Sequence, residues 1–288
     1  MGTVIITDSC SDLPEEFIVK NNIPVISMSY QFKGSEYEDD GGKSIKYNEF
    51  YDAMRNGELP TTSQINVYRY KEVFKKYIEA GQSIIYIGFS SALTGSLNNA
   101  GIAKKMLLDE YKDADISIID SKSASMGEGL IVYNAVKLLN EGKSKSEIVN
   151  WIEENKLKIN HWFTVSDLNN LKRGGRISVT SAFIGTMLAI KPVLNVDNEG
   201  RLIPITKVKG RKKSLRMLAD NFKKMAVHPE NQTVFISHCD CIEDAEHLKK
   251  LIQDENTVGD IKITYIGPII GSHSGPGTVA VFFFGNNR

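Results

Sequence analysis

Three short apolar runs in the first half of the chain constrain its fold most, because each ends in residues with hydroxyl groups. Residues 4–9, 84–91 and 116–121 have the length and β-branched composition of strands, and a segment with helical periodicity follows each run. This alternation predicts a parallel sheet with crossover helices. Ligands of such sheets bind outside the carboxyl ends of the strands, so we expect these hydroxyls to lie near a ligand.

Composition and charge exclude several classes of protein. A length of 288 residues favours about two domains, and the 35 basic residues balance the 35 acidic ones. That balance gives no general affinity for nucleic acid or anionic membranes. No apolar run approaches the roughly 18 residues of a membrane span, and residues 1–3 lead directly into a strand, so we expect neither a transmembrane segment nor a signal peptide. Three cysteines provide no disulfide framework, which favours the cytoplasm.

The hydrophobic pattern changes near residue 160. The first half alternates strands and helices, including a helix over 144–155 with a capping box formed by Ser144 and Glu147. The second half reads as α+β with antiparallel pairing, including a hairpin over 194–205. We therefore predict an α/β domain over residues 1–158 and an α+β domain over 159–288. We also predict one strand over 24–32, and loops over 60–64 and 267–277.

Motifs for catalysis and cofactors are weak. No phosphate-binding P-loop is present, and the glycines at 127 and 129 lack the third glycine of a dinucleotide site, so close packing explains them better. Ser90 follows a strand and precedes a helix, and Asp120 and His273 come later in the order of α/β-hydrolases. The motif lacks its final glycine, so a serine hydrolase using Ser90 stays the runner-up.

Other polar motifs leave alternatives open. The cluster at 238–241 has metal-binding residue types, but its spacing is too tight for a usual zinc site, and we expect no metal. The segment 172–178 fits an ordinary helix end, or a turn that lets Arg176 project over an anion. His273 lies in a loop rich in glycine and proline, where a titratable group is often functional. His161 looks like an ordinary strand or surface residue.

Seven motifs occur in a recognisable order over nearly the whole chain. They are residues 7–9 with 11–13, 62–64, 90–95, 120–121, 174–178, 191–192 and 273–277. Through them the chain resembles the DegV family of bacterial fatty-acid-binding proteins. The resemblance implies an α/β fold of two domains, a parallel N-terminal sheet and a mixed or antiparallel C-terminal one, with one long-chain fatty acid buried between them and no cofactor.

The resemblance also implies a role as the non-catalytic, acyl-carrying subunit of a fatty acid kinase. A separate ATP-binding subunit would phosphorylate the bound carboxylate, and the acyl-phosphate would feed phospholipid synthesis in the cytoplasm. By position, Thr62 and Thr94 match hydroxyls that bind the carboxylate, and Arg176 and His273 match a basic pair for phosphoryl transfer or kinase docking. Further residues are expected near the head group: Ser9, Ser63, Gln64, Ser91, Gly95 and Ser121.

Two positions depart from the family pattern. Thr94 stands where a serine is usual, and its extra methyl group leaves room for a different lipid as ligand. Ile65 stands where a proline is usual, and we expect it only to loosen the turn. The apolar stretch 182–190 is a candidate wall for the acyl tail. Transient contact with a membrane surface stays open.

Overall fold

The computed structural model describes residues 2–166, 168–177 and 189–288. Its strands, in chain order, are β1 (Thr3–Asp8), β2 (Val25–Ile26), β3 (Ser29–Phe32), β4 (Ser35–Glu38), β5 (Thr61–Ser63), β6 (Ser83–Gly88), β7 (Ile116–Asp120), β8 (Ile159–Thr164), β9 (Ile190–Val196), β10 (Leu202–Lys209), β11 (Thr233–His238), β12 (Asp260–Tyr265) and β13 (Val279–Phe284). Its helices are α1 (Glu15–Lys20), α2 (Tyr47–Arg55), α3 (Val67–Glu79), α4 (Ser96–Glu110), α5 (Met126–Asn140), α6 (Lys145–Asn155), α7 (Asn169–Arg173), α8 (Arg211–Met225), α9 (Ile242–Glu255) and α10 (Pro268–Ser274). No helix in these ranges is long and apolar enough to cross a membrane.

The first sheet is parallel, with the order β2-β1-β6-β7. Alternate residues of β6 face opposite sides, as the two-residue period of a strand requires. Ile84 and Tyr86 pack in the cluster that includes α3 and α4, whereas Ile85 and Ile87 pack in the cluster that includes α5 and α6. Helices therefore cover both faces, which is why β6 is apolar along most of its length and buried throughout.

The carboxyl ends of these strands meet at one edge. The backbone N–H of Phe89, after β6, donates to Asp8 Oδ2 at the end of β1 (3.1 Å). The Ser91 hydroxyl donates to Asp120 Oδ2 at the end of β7 (2.5 Å). The predicted parallel sheet and the convergence of its hydroxyl-bearing ends are confirmed.

The second sheet has six strands in the order β10-β9-β8-β13-β11-β12. Its neighbours pair antiparallel except β11 and β12, so the sheet is mixed. Helices α8 and α9 cover one face. The other face packs on α5, which is apolar around most of its circumference because it lies between the two large sheets. The predicted α/β class, with a parallel first sheet and a mixed second one, is confirmed.

Three sequence predictions about local structure are wrong. The strand predicted over 24–32 is two strands in different sheets, divided where Met28 N donates to Ser9 Oγ (3.1 Å). The loop predicted over 60–64 contains β5, which pairs with β3 in a small antiparallel sheet together with β4. The loop predicted over 267–277 contains α10, because Pro268 occupies the first helical turn, where its missing N–H costs nothing.

Other local predictions hold. Both reciprocal hydrogen bonds of the capping box between Ser144 and Glu147 are present. The hairpin of β9 and β10 closes through Asp197, whose side chain accepts from Glu199 N and Arg201 N. The domain boundary near residue 158 stays a prediction. The large apolar cluster on α5 joins side chains from both sides of that position.

Candidate functional site

A cavity of about 270 Å³ lies between the two large sheets. Both halves of the chain line it. The described apolar lining is Met28, Phe89, Leu93, Ala124, Phe163, Leu171, Val196, Leu202, Ile266, Ile269, Ile270, Ala280 and Phe282. An apolar cavity with a few polar groups is the usual form of a small-molecule site. Residues 182–188, most of the wall predicted for the tail, lie outside the described residues.

The polar groups of the cavity include a direct contact between two elements distant in sequence. Thr62 on β5 and His273 on α10 share a hydrogen bond between Thr62 Oγ1 and His273 Nε2 (2.8 Å). Thr94, Gly95 and Arg176 also line the cavity, as do Ser63 and Gln64 beside Thr62. The structure thus brings Thr62, Thr94, Arg176 and His273 to one cavity. We call the part of the cavity where these four side chains lie the head-group end.

Arg176 is held in place by the turn that precedes it. Helix α7 ends at Arg173, and Gly175 has a φ of +67°, a conformation that glycine adopts easily. Arg176 then reaches back, so that its Nε donates to the carbonyl of Leu93 (3.2 Å) and its Nη1 to the carbonyl of Gly174. The segment is therefore both a helix end and the support that places a fixed positive charge at the cavity.

Gly174 permits the close approach of His273. A Cβ on Gly174 would lie 2.1 Å from His273 Nδ1, so no other residue fits without moving the imidazole. Burial, Arg176 and Arg173, in that order, lower the pKa of His273 to about 4. His273 is consequently neutral at neutral pH. Of the two residues expected to be basic, only Arg176 is therefore charged at neutral pH.

Thr94 lies just before the N-terminus of α4. Its Oγ1 accepts from Ser96 N (3.2 Å) and lies 2.9 Å from Ser96 Oγ, while Ile65 N donates to Ser96 Oγ (3.2 Å). Ile65 is buried and its carbonyl accepts from Asn99 Nδ2. Ile65 therefore links the turn to α4 through an N–H that a proline would lack, and the expected loosening of the turn stays a prediction. The N-terminus of the 15-residue α4 also favours an anion nearby.

Three serines expected near the head group do not line the cavity. Ser9 Oγ accepts from Met28 N, Ser91 Oγ donates to Asp120, and Ser121 Oγ donates to the carbonyl of Ser123 (3.4 Å). Their hydroxyls stabilise the loops at the sheet edge. The end of a strand fixes which edge a residue reaches, but not the direction in which its side chain points.

The residues of the hydrolase alternative do not form a catalytic chain. Ser90 is fully buried, and its Oγ donates to the carbonyl of Gly200 (3.0 Å). Asp120 is bonded to Ser91 and Lys122, and His273 is bonded to Thr62. A serine nucleophile needs a hydrogen bond to its base, and Ser90 shows none among the described residues. The structure therefore disfavours a hydrolase at this position.

The remaining motifs have packing roles. A Cβ on Gly127 would lie 1.8 Å from His161 Nε2 and one on Gly129 would lie 2.4 Å from the carbonyl oxygen of Ser11, so close packing explains both glycines. In the cluster at 238–241, His238 Nδ1 accepts from Cys241 N (3.2 Å). The described part of the chain holds no group of three or more histidine, cysteine or acidic side chains placed to bind a metal.

Sequence reasoning missed His161 as a cavity residue. It lies on β8, is 3 % exposed and lines the cavity together with Phe163, two residues further along the strand. Burial lowers the pKa of His161 well below its ordinary value, so the ring is neutral. The available signal was the two-residue period of β8, which puts His161 on the same face as Phe163.

Comparison with known proteins agrees with this architecture. The model of the DegV family, described as uncharacterised proteins, matches residues 3–286. The chain belongs to the DegV family. A DegV domain-containing protein of Clostridium perfringens is 47% identical over 285 residues, covering 99% of this chain and 98% of the relative.

Two solved DegV structures show the same fold. The structure described as fatty acid binding of a DegV family protein from Thermus thermophilus has a TM-score of 0.89 at 27% identity, covering 99% of this chain and 100% of that one. The fatty acid binding DegV family protein of Streptococcus agalactiae has a TM-score of 0.85 at 29% identity, and both chains are covered completely.

Proposed function

We propose that this protein binds one long-chain fatty acid in the cavity, with the carboxylate at the head-group end. The observation that carries this proposal is the cavity itself, in which apolar walls lead to Thr62, Thr94, Arg176 and His273. The fatty acid binding named for its DegV relatives supports the same ligand.

The energetics divide the roles of tail and head group. Burial of an acyl chain contributes about 0.8 kcal/mol per CH₂, so a tail of about fifteen carbons contributes on the order of 10 kcal/mol before the costs of association. The tail therefore supplies most of the affinity. The neutral hydroxyls of Thr62 and Thr94 orient the carboxylate, while Arg176 supplies a positive charge beside it.

The head-group end suits a carboxylate that must react with a second protein. Ser63, Gln64 and Gly95 line the cavity and are exposed, so this end opens towards the surface. We propose that a separate ATP-binding kinase subunit docks here. A carboxylate oxygen then attacks the γ-phosphorus of ATP, the bond to the β,γ-bridging oxygen breaks, and acyl-phosphate and ADP result.

In this scheme the chain is a non-catalytic carrier, and Arg176 stabilises charge that develops on the transferred phosphoryl group. The acyl-phosphate would feed phospholipid synthesis, and the cytoplasm stays the predicted location. Thr94 Oγ1 accepts a hydrogen bond from Ser96 N and lies beside Ser96 Oγ. Compared with a serine, Thr94 keeps the hydroxyl and adds a methyl group to the cavity surface.

A titration tests the ligand and its orientation together. Stearic acid and its methyl ester are titrated into delipidated protein and into Thr62→Val. We expect the wild type to bind the acid about tenfold more tightly than the ester, because the ester lacks the charge that Arg176 and the hydroxyls meet. We expect Thr62→Val to reduce that difference. Equal affinity of the wild type for acid and ester would contradict the proposed orientation.

A further inference from the structure

One polar side chain in the cavity wall has no role in binding the carboxylate. His161 is 3 % exposed, and neither of its ring nitrogens makes a hydrogen bond of normal geometry to the described residues, although the nearby backbone of Ile159 opposes part of the fall in its pKa. Buried polar groups are nearly always paired, and an unpaired one costs free energy comparable to a lost hydrogen bond. An imidazole in this position therefore calls for a partner that the cavity contents provide.

Packing prevents the ring from turning away to find a partner elsewhere. The rings of His161 and Phe282 pack edge to face, with centroids 5.5 Å apart. On another side, the backbone of α5 at Gly127 approaches so closely that a Cβ there would lie 1.8 Å from His161 Nε2. The imidazole is thus fixed at the cavity wall by contacts that do not satisfy its nitrogens.

His161 lies at the part of the cavity where the acyl tail of a bound fatty acid would pass. His161 pairs with Phe282 on β13, and β13 begins directly after Thr278, close to α10 and its His273. At about 3.3 Å per residue, the four steps from Thr278 to Phe282 put His161 about 13 Å from that end of the strand. A fatty acid with its carboxylate at Thr62 and His273 therefore passes His161 with its middle carbons.

The surroundings of His161 favour a ligand oxygen over a bound water. A water buried in a cavity needs two to four polar partners. Nearby lining side chains on β8 and β13 are Phe163, Ala280 and Phe282, and the hydroxyl of Ser125 already donates to Asp12 Oδ2 (2.5 Å). An oxygen that the acyl chain itself carries needs only the imidazole.

We propose that His161 is a specificity residue for fatty acids that carry a hydroxyl group on a middle carbon. This inference rests on the proposed fatty acid binding and extends it to the oxygenated members of that ligand class. A neutral imidazole has one N–H donor and one acceptor nitrogen, and a hydroxyl can pair with the nitrogen that does not face Gly127, whether that nitrogen donates or accepts. A plain saturated chain would leave both nitrogens unpaired.

The test compares two acids in three proteins. The dissociation constants of stearic acid and of stearic acid hydroxylated at a middle carbon are measured for the wild type, His161→Leu and Phe163→Leu. The ratio of the two constants isolates the contact with the hydroxyl. We expect His161→Leu to shift that ratio by about tenfold against the hydroxylated acid. The matched variant Phe163→Leu changes the same wall of the cavity. It should weaken the binding of both acids by a similar factor.

The outcomes separate the two proposals. If the wild type binds neither acid, the proposed fatty acid binding is wrong. If it binds both but His161→Leu leaves their ratio unchanged, or Phe163→Leu shifts it equally, the role of His161 is wrong and fatty acid binding stands. If a variant misfolds, an NMR measurement on the wild type alone still tests the inference. The ring-nitrogen NMR signals of His161 should shift when the acid with a hydroxyl on a middle carbon binds. They should not shift with stearic acid or with an acid whose hydroxyl is next to the carboxylate. Equal spectra with the three acids would overturn the inference.

Discussion

The protonation of His273 should respond to the carboxylate of a bound fatty acid. Burial and the neighbouring Arg176 and Arg173 lower the pKa of His273 to about 4. A carboxylate about 4 Å from the ring attracts its protonated form by about 4 kcal/mol at an effective dielectric constant of about 20. Because one pKa unit corresponds to 1.36 kcal/mol, that attraction is enough to return the pKa of His273 to its ordinary value of 6.5 or above it.

The assay is an NMR titration of the histidine ring protons between pH 3.5 and 8. It is run on delipidated protein, on protein with stearic acid, and on protein with stearyl alcohol, which fills the cavity without a charge. We expect a large upward change in the pKa of His273 with the acid and none with the alcohol. An equal response to both ligands, or none to the acid, would refute the placement of the carboxylate beside His273.

The same lowered pKa has a consequence for the stability of the delipidated protein. Between pH 6.5 and about 4 the unfolded chain binds a proton at His273 and the native protein does not. The contribution of His273 is therefore fully present above pH 6.5 and is lost as the pH falls to about 4, by at most about 3 kcal/mol. Urea unfolding of wild type and His273→Gln should show a smaller pH dependence for the variant across this window.

Three further predictions concern single substitutions. Arg176→Ala should retain stearic acid binding within a few-fold but lower its phosphorylation by a fatty acid kinase subunit at least tenfold, and loss of binding instead would show that Arg176 holds the ligand. Gly174→Ala should weaken stearic acid binding about tenfold, because its Cβ would lie 2.1 Å from His273 Nδ1, whereas Gly101→Ala, with nothing within 4 Å, should leave binding unchanged and the fold equally or more stable. Arg288→Met should lower the free energy of unfolding by about 3 kcal/mol in urea, because its guanidinium donates to four backbone carbonyls and to Ser123 Oγ; an unchanged midpoint would contradict this.

Much of the fold is predictable from sequence because most of its elements are locally encoded. The strand β6 and the helix α6 follow from apolar periodicity and from a capping box. By contrast, β5 is three residues long and exists because β3 pairs with it. Helix α10 is hidden by the glycines within and beside it. Gly271, inside the helix, lies against the Tyr51 hydroxyl, where a Cβ would come within 2.2 Å. Such contacts join distant segments, so no local pattern reports them.

The candidate site shows the same division. Thr62, Thr94, Arg176 and His273 were expected from the family motifs, and all four line the cavity. The neutrality of His273 depends on burial and on Arg176, which only the folded chain brings together. The role of His161 likewise depends on which face of β8 meets the cavity and on the absence of a partner among the described residues.

The most direct test of the central claim is to identify what the protein contains when it is purified. Freshly purified protein is extracted with organic solvent, and the extract is analysed by mass spectrometry against a denatured, re-extracted control. The account predicts close to one long-chain fatty acid per chain, and the spectrum names its length and any hydroxyl or double bond. An extract with a different amphiphile, or an empty extract from protein that also takes up no added fatty acid, would contradict it.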